Sequence, residues 1–332
     1  MKRRGSVLLF SLVKAAITIT LIVIIAAKID FAVLARHLGG AGTIYLVLGA
    51  LLLAANIPLV ALRWWLLLRR LDVESISLGY AIAITFASVF VSQATPGPIG
   101  ADAVRGWLCY RRGIALRVAI MSLVTDRLLA LLGLVAVAGT VWWWQFDAVD
   151  QNLGRQIAIL GAIVVAATAI ALWLLPALTG FLARRWQRWR ALQEVPAIFR
   201  FTALSGAGAV GMALSCLVIT LTINAVILFA HGFGVTLAPA AAYLVVPVAV
   251  LSSSLPISIG GWGVREASLS YGLMLFGVAS DDAALLGLAL GIGLLLASLP
   301  GGIVMLLLGP QVRPPLGGAE SGLIDGAHAN RS

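Results

Sequence analysis

Long apolar runs, separated by short polar or basic segments, make up most of the chain. A helix that crosses a bilayer needs about 20 consecutive apolar residues. We predict full spans at the six runs that approach or exceed this length: 7–27, 43–68, 118–144, 157–175, 203–230 and 283–308. The first run is longer than the core of a cleaved signal peptide, so we expect it to remain as an anchor.

Two further apolar stretches, 78–94 and 239–255, run into clusters of proline and glycine. Proline removes a backbone donor and glycine loosens the helix, so an uninterrupted spanning helix is not expected at either place. We therefore predict broken re-entrant hairpins at 78–110 and 239–280. The predicted fold is an all-α, polytopic membrane protein with about six full spans and two hairpins, or about eight apolar segments.

Composition agrees with this fold, because hydrophobic residues make up 61% of the chain and charged residues only 11%. So few charges cannot cover a soluble globule of this size. We expect residues 1–310 to form one membrane domain and residues 311–332, rich in Gly, Ala and Pro, to form a disordered cytoplasmic tail. Cys109, Cys216 and the isolated histidines have no metal-ligand spacing, so neither a metal nor a cofactor is expected.

The net charge of +10 makes the distribution of basic residues informative about topology. Lys and Arg beside membrane spans prefer the cytoplasm. The basic clusters at 2–4, 63–70, 111–117 and 184–200 can all be cytoplasmic only if segment 78–110 enters and leaves on the same side. The same path opens the second hairpin to the outside and puts both termini in the cytoplasm, which predicts a multi-pass protein of the cell membrane.

The two Pro/Gly clusters share a sequence pattern. Residues 96–105 read PGPIGADAVR and residues 256–265 read PISIGGWGVR, so both fit P-x-x-I-G-x-x-x-V-R. Since the charge pattern opens the two hairpins to opposite faces, we interpret them as an inverted repeat. Paired Gly/Pro interruptions in corresponding halves indicate the central binding site of a transporter. In the alternative interpretation, both clusters are only tight turns between helices.

Backbone breaks inside a membrane need a protein-lined or wet cavity for their unpaired polar groups. A helix that restarts after Gly100 or Gly260 would point its first N–H groups at the break, and these suit an anion such as phosphate. Arg105 and Arg265 follow a few residues later. We therefore expect the breaks to contribute to a substrate site.

Charged residues within the apolar segments are the other candidates, because one charge at the centre of a span costs about 2.5 to 3.5 kcal/mol on insertion scales. Asp102 and Arg105 share a helical face and can pair, whereas Asp126 and Arg127 point about 100° apart and need different partners. These ions could alternatively serve only to fix helix register. The predicted substrate-binding residues are Pro96, Gly97, Gly100, Asp102, Arg105, Asp126, Arg127, Gly260, Gly261, Arg265 and Glu266.

Several motifs, taken in order, resemble the transmembrane region of lysylphosphatidylglycerol synthetases and its stand-alone, flippase-like relatives. They are Arg63-Trp64, TPGPIGADAVR at 95–105, TDRLL at 125–129, PISIGGWGVREA at 256–267 and LPGG at 299–302. The first break departs from the family's usual L-P-G and G-G-D, with Thr95 and Ala101 at those positions. The resemblance implies lipid translocation, and without a separate soluble domain it does not imply lipid aminoacylation.

The sequence therefore favours a non-enzymatic lipid flippase or transporter that moves an anionic or phosphate-containing lipid between leaflets of the cell membrane. One alternative is an ion- or proton-coupled carrier of a small polar solute. Another is a non-transporting scaffold for a partner enzyme that modifies lipids or glycans. Topology already explains the basic residues, so no nucleic-acid partner is expected, and the chain contains no P-loop pattern for ATP. The substrate lipid, the direction and energy coupling of transport and the oligomeric state stay open.

Overall fold

The computed structural model describes residues 42–95, 99–144, 201, 204–254, 258 and 260–307, and its regular elements there are all helices. In chain order they are α1 (Thr43–Arg70), α2 (Leu78–Ser92), α3 (Ile99–Arg111), α4 (Leu116–Trp144), α5 (Gly206–Phe233), α6 (Pro239–Ser253), α7 (Val264–Leu275), α8 (Ser280–Ser298) and α9 (Pro300–Leu307). The predicted spans at 7–27 and 157–175 and the predicted tail at 311–332 lie outside the described residues.

Four stretches of helix in the described residues are long and apolar enough to cross a membrane. They are α1, most of α4, α5 and the continuous stretch formed by α8 and α9. Each lies where the sequence predicts a span. The chain is therefore a polytopic helical membrane protein, as predicted from the apolar runs.

The two interrupted stretches form pairs of short helices. At one end of the first pair, the Arg112 guanidinium lies 3.9 Å from the ring centroid of Tyr80, so the end of α3 meets the start of α2. In the second pair, Gly272 of α7 packs on Val245 of α6, while a Cβ on Gly261 would come within 2.8 Å of Ser253 Cβ at the end of α6. Each pair is therefore an antiparallel hairpin.

Helices α1 and α5 pack side by side and run in opposite directions. Asn56 Nδ2 donates to Thr222 Oγ1 at 2.9 Å in the buried middle of this contact. The start of α1 meets the end of α5, where Gly42 lies against the backbone of Gly232. Small residues here allow the two backbones to approach closely, which is how helices associate when lipid surrounds them.

Four helices end in the same hydrogen-bonded turn. The backbone N–H of residues 73, 114, 235 and 278 donates to the carbonyl five residues earlier, after a residue with positive φ. These turns close α1, α3, α5 and α7 and satisfy carbonyls that would otherwise lack partners. Helices α1 and α5 are both 28 residues long, and α2 and α6 are both 15. The order long, short, short, long therefore occurs twice along the chain.

The structure corrects the expectation that a helix restarts directly after the glycine of each motif. Helix α3 already begins at Ile99, so Gly100 lies inside it. After the second break, Gly260, Gly261 and Gly263 have φ of +62°, +76° and +82°, which is left-handed backbone that a right-handed helix cannot contain. Helix α7 can therefore begin only at Val264.

Candidate functional site

Five charged side chains from three helices form a continuous network. Asp126 of α4 accepts hydrogen bonds from Arg63 Nε of α1 at 2.7 Å and from Arg105 Nη1 of α3 at 3.2 Å. Asp102 of α3 accepts from Arg105 Nη2 at 2.6 Å and from Arg127 Nε of α4 at 2.9 Å. Positive and negative groups therefore alternate along the network, and each carboxylate joins two guanidinium groups.

The network has a buried end and an accessible end. Arg63, Arg105 and Asp126 are only 4%, 2% and 1% exposed. At the other end, the side chains of Arg127 and Asp102 are 39% and 26% exposed. Three guanidinium groups and two carboxylates leave a formal charge of +1. Arg127 is therefore the most accessible cation of the network.

Neutral groups hold the buried end in place. Arg63 Nη1 donates to Ser215 Oγ of α5 at 2.8 Å, which ties a fourth helix to the network. The indole of Trp64 donates to Ser122 Oγ of α4 at 3.1 Å, and its ring centroid lies 5.4 Å from the Arg105 guanidinium carbon. Arg105 Nε, by contrast, has no hydrogen-bond partner among the described residues. This buried N–H group could therefore donate a hydrogen bond to a ligand.

The second motif carries its own ion pair. Arg265 Nε and Nη2 donate to Glu266 Oε1, and the backbone N–H of Gly263 donates to Glu266 Oε2 at 2.6 Å. The Arg265 and Glu266 side chains are 5% and 12% exposed. The guanidinium carbon of Arg265 lies 5.5 Å from the ring centroid of Trp262, and Gly291 of α8 faces the pair. This carboxylate therefore neutralises an arginine and caps the start of α7 at the same time.

The two breaks touch each other through backbone atoms. The N–H of Gly260 donates to the carbonyl of Thr95 at 2.8 Å. A Cβ on Gly260 would lie 2.6 Å from the carbonyl oxygen of Gln93, and Gly100 packs directly on the Thr95 side chain. The motif glycines thus allow the end of α2 to meet the turn before α7. Two predicted site residues lie outside the described residues: Pro96 and Gly97.

The pairings expected from helical geometry are confirmed by these contacts. Asp102 and Arg105 pair directly, and the adjacent residues Asp126 and Arg127 bind different partners. No carboxylate among the described residues pairs with both Arg105 and Arg265. A shared substrate site for both arginines therefore stays a prediction, as do the substrate-binding roles of the other predicted residues.

Arg63 has a different place from the one that the sequence predicts. The basic cluster at 63–70 predicts a flank of the span, yet the Arg63 side chain is buried against Asp126. The available signal was its position, because Arg63 lies seven residues before Arg70, or about two helical turns inside an apolar helix. Ser215 gave no comparable signal, since serine is common in closely packed membrane helices.

These features define a class: a multi-pass helical membrane protein with a charged network buried between its helices. The sequence matches the model of the lysylphosphatidylglycerol synthase transmembrane region over residues 11–302. The protein therefore belongs to this family, as its motifs indicate. Searches of curated proteins and of solved structures found no match.

Proposed function

We propose that this protein is a lipid transporter of the flippase type, which moves an anionic, phosphate-containing lipid between the leaflets of the cell membrane. The observation that carries the proposal is the network of formal charge +1, which leads from partly exposed Arg127 through Asp102 to buried Arg105. A buried network with a surplus cation attracts an anion, and guanidinium groups match phosphate with two parallel hydrogen bonds. Membership of the lysylphosphatidylglycerol synthase family supports a lipid substrate.

We also propose that α1–α4 and α5–α8 are the two halves of an inverted repeat. The antiparallel contact of α1 with α5 supports it, as does the recurring order of helices. The packing is reciprocal as well: α4 contacts α5 and α6, while α8 contacts α1 and α2. The first hairpin opens beside the end of α1, where Trp65 Nε1 donates to the Ile76 carbonyl at 3.0 Å. The second opens beside the end of α5, toward the other face.

In this proposal, both termini are cytoplasmic and the chain performs no covalent chemistry. The headgroup passes along the charged network while the acyl chains stay in lipid. Desolvation of a phosphate then costs less, because fixed N–H donors replace part of its hydration. A partner enzyme that makes the lipid would supply the substrate.

The test is a leaflet-resolved assay with purified protein in liposomes. Phosphatidylglycerol with a fluorescent acyl chain is quenched from outside by dithionite, and phosphatidylcholine with the same label measures selectivity. We expect Arg127→Ala to slow phosphatidylglycerol movement by about tenfold or more, because a charge-assisted hydrogen bond contributes roughly 1.5–3 kcal/mol. Arg127→Lys should recover part of the rate, since lysine keeps the charge but lacks the two parallel N–H donors of a guanidinium group.

Arg127 suits this test because its removal leaves Asp102 paired with Arg105, so the fold should tolerate the change. Arg117→Ala is the matched control, since Arg117 is an exposed arginine in the first turn of the same helix. Wild-type liposomes that move neither lipid faster than empty ones would contradict the proposal. Equal slowing by Arg127→Ala and Arg117→Ala would show that the charged network has no specific role in lipid movement.

A further inference from the structure

Three N–H donors at the start of α7 converge on the carboxylate of Glu266. Arg265 contributes Nε at 3.1 Å and also Nη2, both to Oε1, and the backbone N–H of Gly263 reaches Oε2 at 2.6 Å. The Glu266 side chain folds back toward the helix start to reach the Gly263 N–H, and the Arg265 guanidinium meets the same carboxylate. The Glu266 carboxylate therefore accepts hydrogen bonds from the guanidinium and from the N-terminal end of the helix at the same time.

Guanidinium donors and the N–H groups of a first helical turn are also what proteins use to bind phosphate. An exposed cap of this kind would be ordinary helix chemistry. Here, however, the Arg265 side chain is only 5% exposed and lies within the membrane domain. The only carboxylate that pairs with it among the described residues comes from its own helix.

The facing helix has a glycine where it contacts this ion pair. A methyl group on Gly291 of α8 would come within 2.7 Å of Glu266 Oε1 and 3.1 Å of Arg265 Nη2. Glycine thus provides the space that the pair fills. In the first half of the chain, the corresponding arginine, Arg105, instead receives Asp126 from the facing helix α4.

Two buried polar atoms near the turn formed by residues 260–263 have no hydrogen-bond partner among the described residues. Gln93 is 8% exposed, its carbonyl faces Gly260, and its Oε1 has no partner among the described residues. Ser258, two residues before Gly260, likewise has a buried Oγ without a described partner. Unsatisfied buried groups cost free energy. The Ser258 hydroxyl can donate to an anion, whereas Gln93 Oε1 can only accept a hydrogen bond.

We propose that the donors at the start of α7 form a phosphate-binding site, which Glu266 occupies in this structure as an internal competitor. A phosphate group displaces the carboxylate and takes over the hydrogen bonds from Arg265 and Gly263. The exchange replaces one anion with another, so the buried guanidinium is never left without a counter-ion. The identity of the ligand as a lipid headgroup rests on the proposed function, whereas the competition by Glu266 does not.

The test compares phosphate binding by the full-length wild-type protein and Glu266→Gln in detergent. Calorimetric titrations use dihexanoyl phosphatidylglycerol in one arm and inorganic phosphate in the other. Glutamine has the size of glutamate but no charge, so we expect a Kd at least tenfold lower than that of wild type. Arg265→Gln combined with Glu266→Gln should abolish the gain, because the main donor is then missing.

Asp281→Asn is the matched control, since it makes the same change of carboxylate to amide on an exposed residue in the first turn of α8. Its Kd should equal that of wild type. Glu266→Asp is the second variant, in case glutamine prevents folding. It keeps the charge but shortens the side chain, so we expect a smaller gain in affinity.

The outcomes distinguish a phosphate-binding site from a simple helix cap. Tighter binding in both ligand arms supports a site for the phosphate group itself, and tighter binding only of the lipid supports a headgroup site. Unchanged affinity in folded Glu266 variants, or an equal gain in Asp281→Asn, overturns the proposal and leaves Glu266 as a helix cap. That result would not affect the proposed function if lipid movement still depends on Arg127. Conversely, tighter phosphate binding by Glu266→Gln in a protein that moves no lipid would contradict only the proposed function.

Discussion

Replacing Asp126 with asparagine tests whether the charged network holds the helices together. Asp126 is 1% exposed and is the carboxylate that links Arg63 of α1 to Arg105 of α3. Asparagine keeps the shape but leaves buried Arg63 without a carboxylate, while Arg105 keeps Asp102. Removing one partner of a buried ion pair costs about 3–5 kcal/mol, because the remaining charge stays without water. We expect a loss of that size for Asp126→Asn.

The assay is reversible unfolding of the purified protein in mixed micelles, followed by the loss of helical circular dichroism as SDS is added. Asp102→Asn is the internal comparison, because Asp102 is 26% exposed and its partner Arg127 is 39% exposed, while its buried partner Arg105 keeps Asp126. Water can reach that end of the network, so we expect a loss of about 1 kcal/mol, as for surface ion pairs. The ranking of the two variants is the first result to examine.

The double variant Arg63→Gln with Asp126→Asn separates pairing from packing. It removes one surplus cation together with the carboxylate, while Arg105 keeps Asp102. We expect it to be more stable than the sum of the single losses by about 2–3 kcal/mol, the upper range for directly interacting residues. Additive losses, or equal losses for Asp126→Asn and Asp102→Asn, would refute the idea that burial sets the strength of this network.

Two further predictions concern packing and topology. Gly133→Ala should lower the free energy of unfolding by about 1–3 kcal/mol, because its methyl group would come within 2.9 Å of the backbone of α5, whereas Gly139→Ala on the same helix meets nothing within 4 Å. SDS titration checks both, and equal losses would contradict the close contact of α4 with α5. A cysteine at Arg112 should react with an impermeant thiol reagent only from the cytoplasm, and one at Asp281 only from outside. Labelling of both from one side would refute the opposite opening of the hairpins.

The spans within the described residues could be predicted closely because bilayer thickness fixes the length of a spanning helix. The run predicted at 43–68 is α1 at Thr43–Arg70, and the run at 118–144 is α4 at Leu116–Trp144. The hairpins followed from proline and glycine, which act on the backbone locally. These features depend on neighbours in sequence, so a single sequence contains enough information to find them.

The partners of the charged residues could be predicted only where both lie on one helix. The spacing of Asp102 and Arg105 identifies their contact, but the choice of Arg63 for Asp126 depends on how α1 rotates against α4. That rotation is set by packing over the whole contact and has no local signature. The late start of α7 at Val264 was missed for a similar reason, since the sequence does not state the sign of φ at its glycines.

The two halves of the chain neutralise the same motif arginine in different ways, and this difference has a mechanical consequence. Arg105 pairs with Asp126, and Arg127 pairs with Asp102, so two ion pairs fasten α3 to α4. In the other half, Arg265 pairs within α7, and no ion pair among the described residues fastens α7 to α8. A displacement of the first hairpin would therefore have to break charged contacts that are partly buried, each costly to leave unpaired. A displacement of α7 along α8 keeps its arginine neutralised throughout, because the counter-ion moves with the helix. If one hairpin moves during transport, the ion pairs favour movement of the second hairpin, because its movement breaks no ion pair between helices.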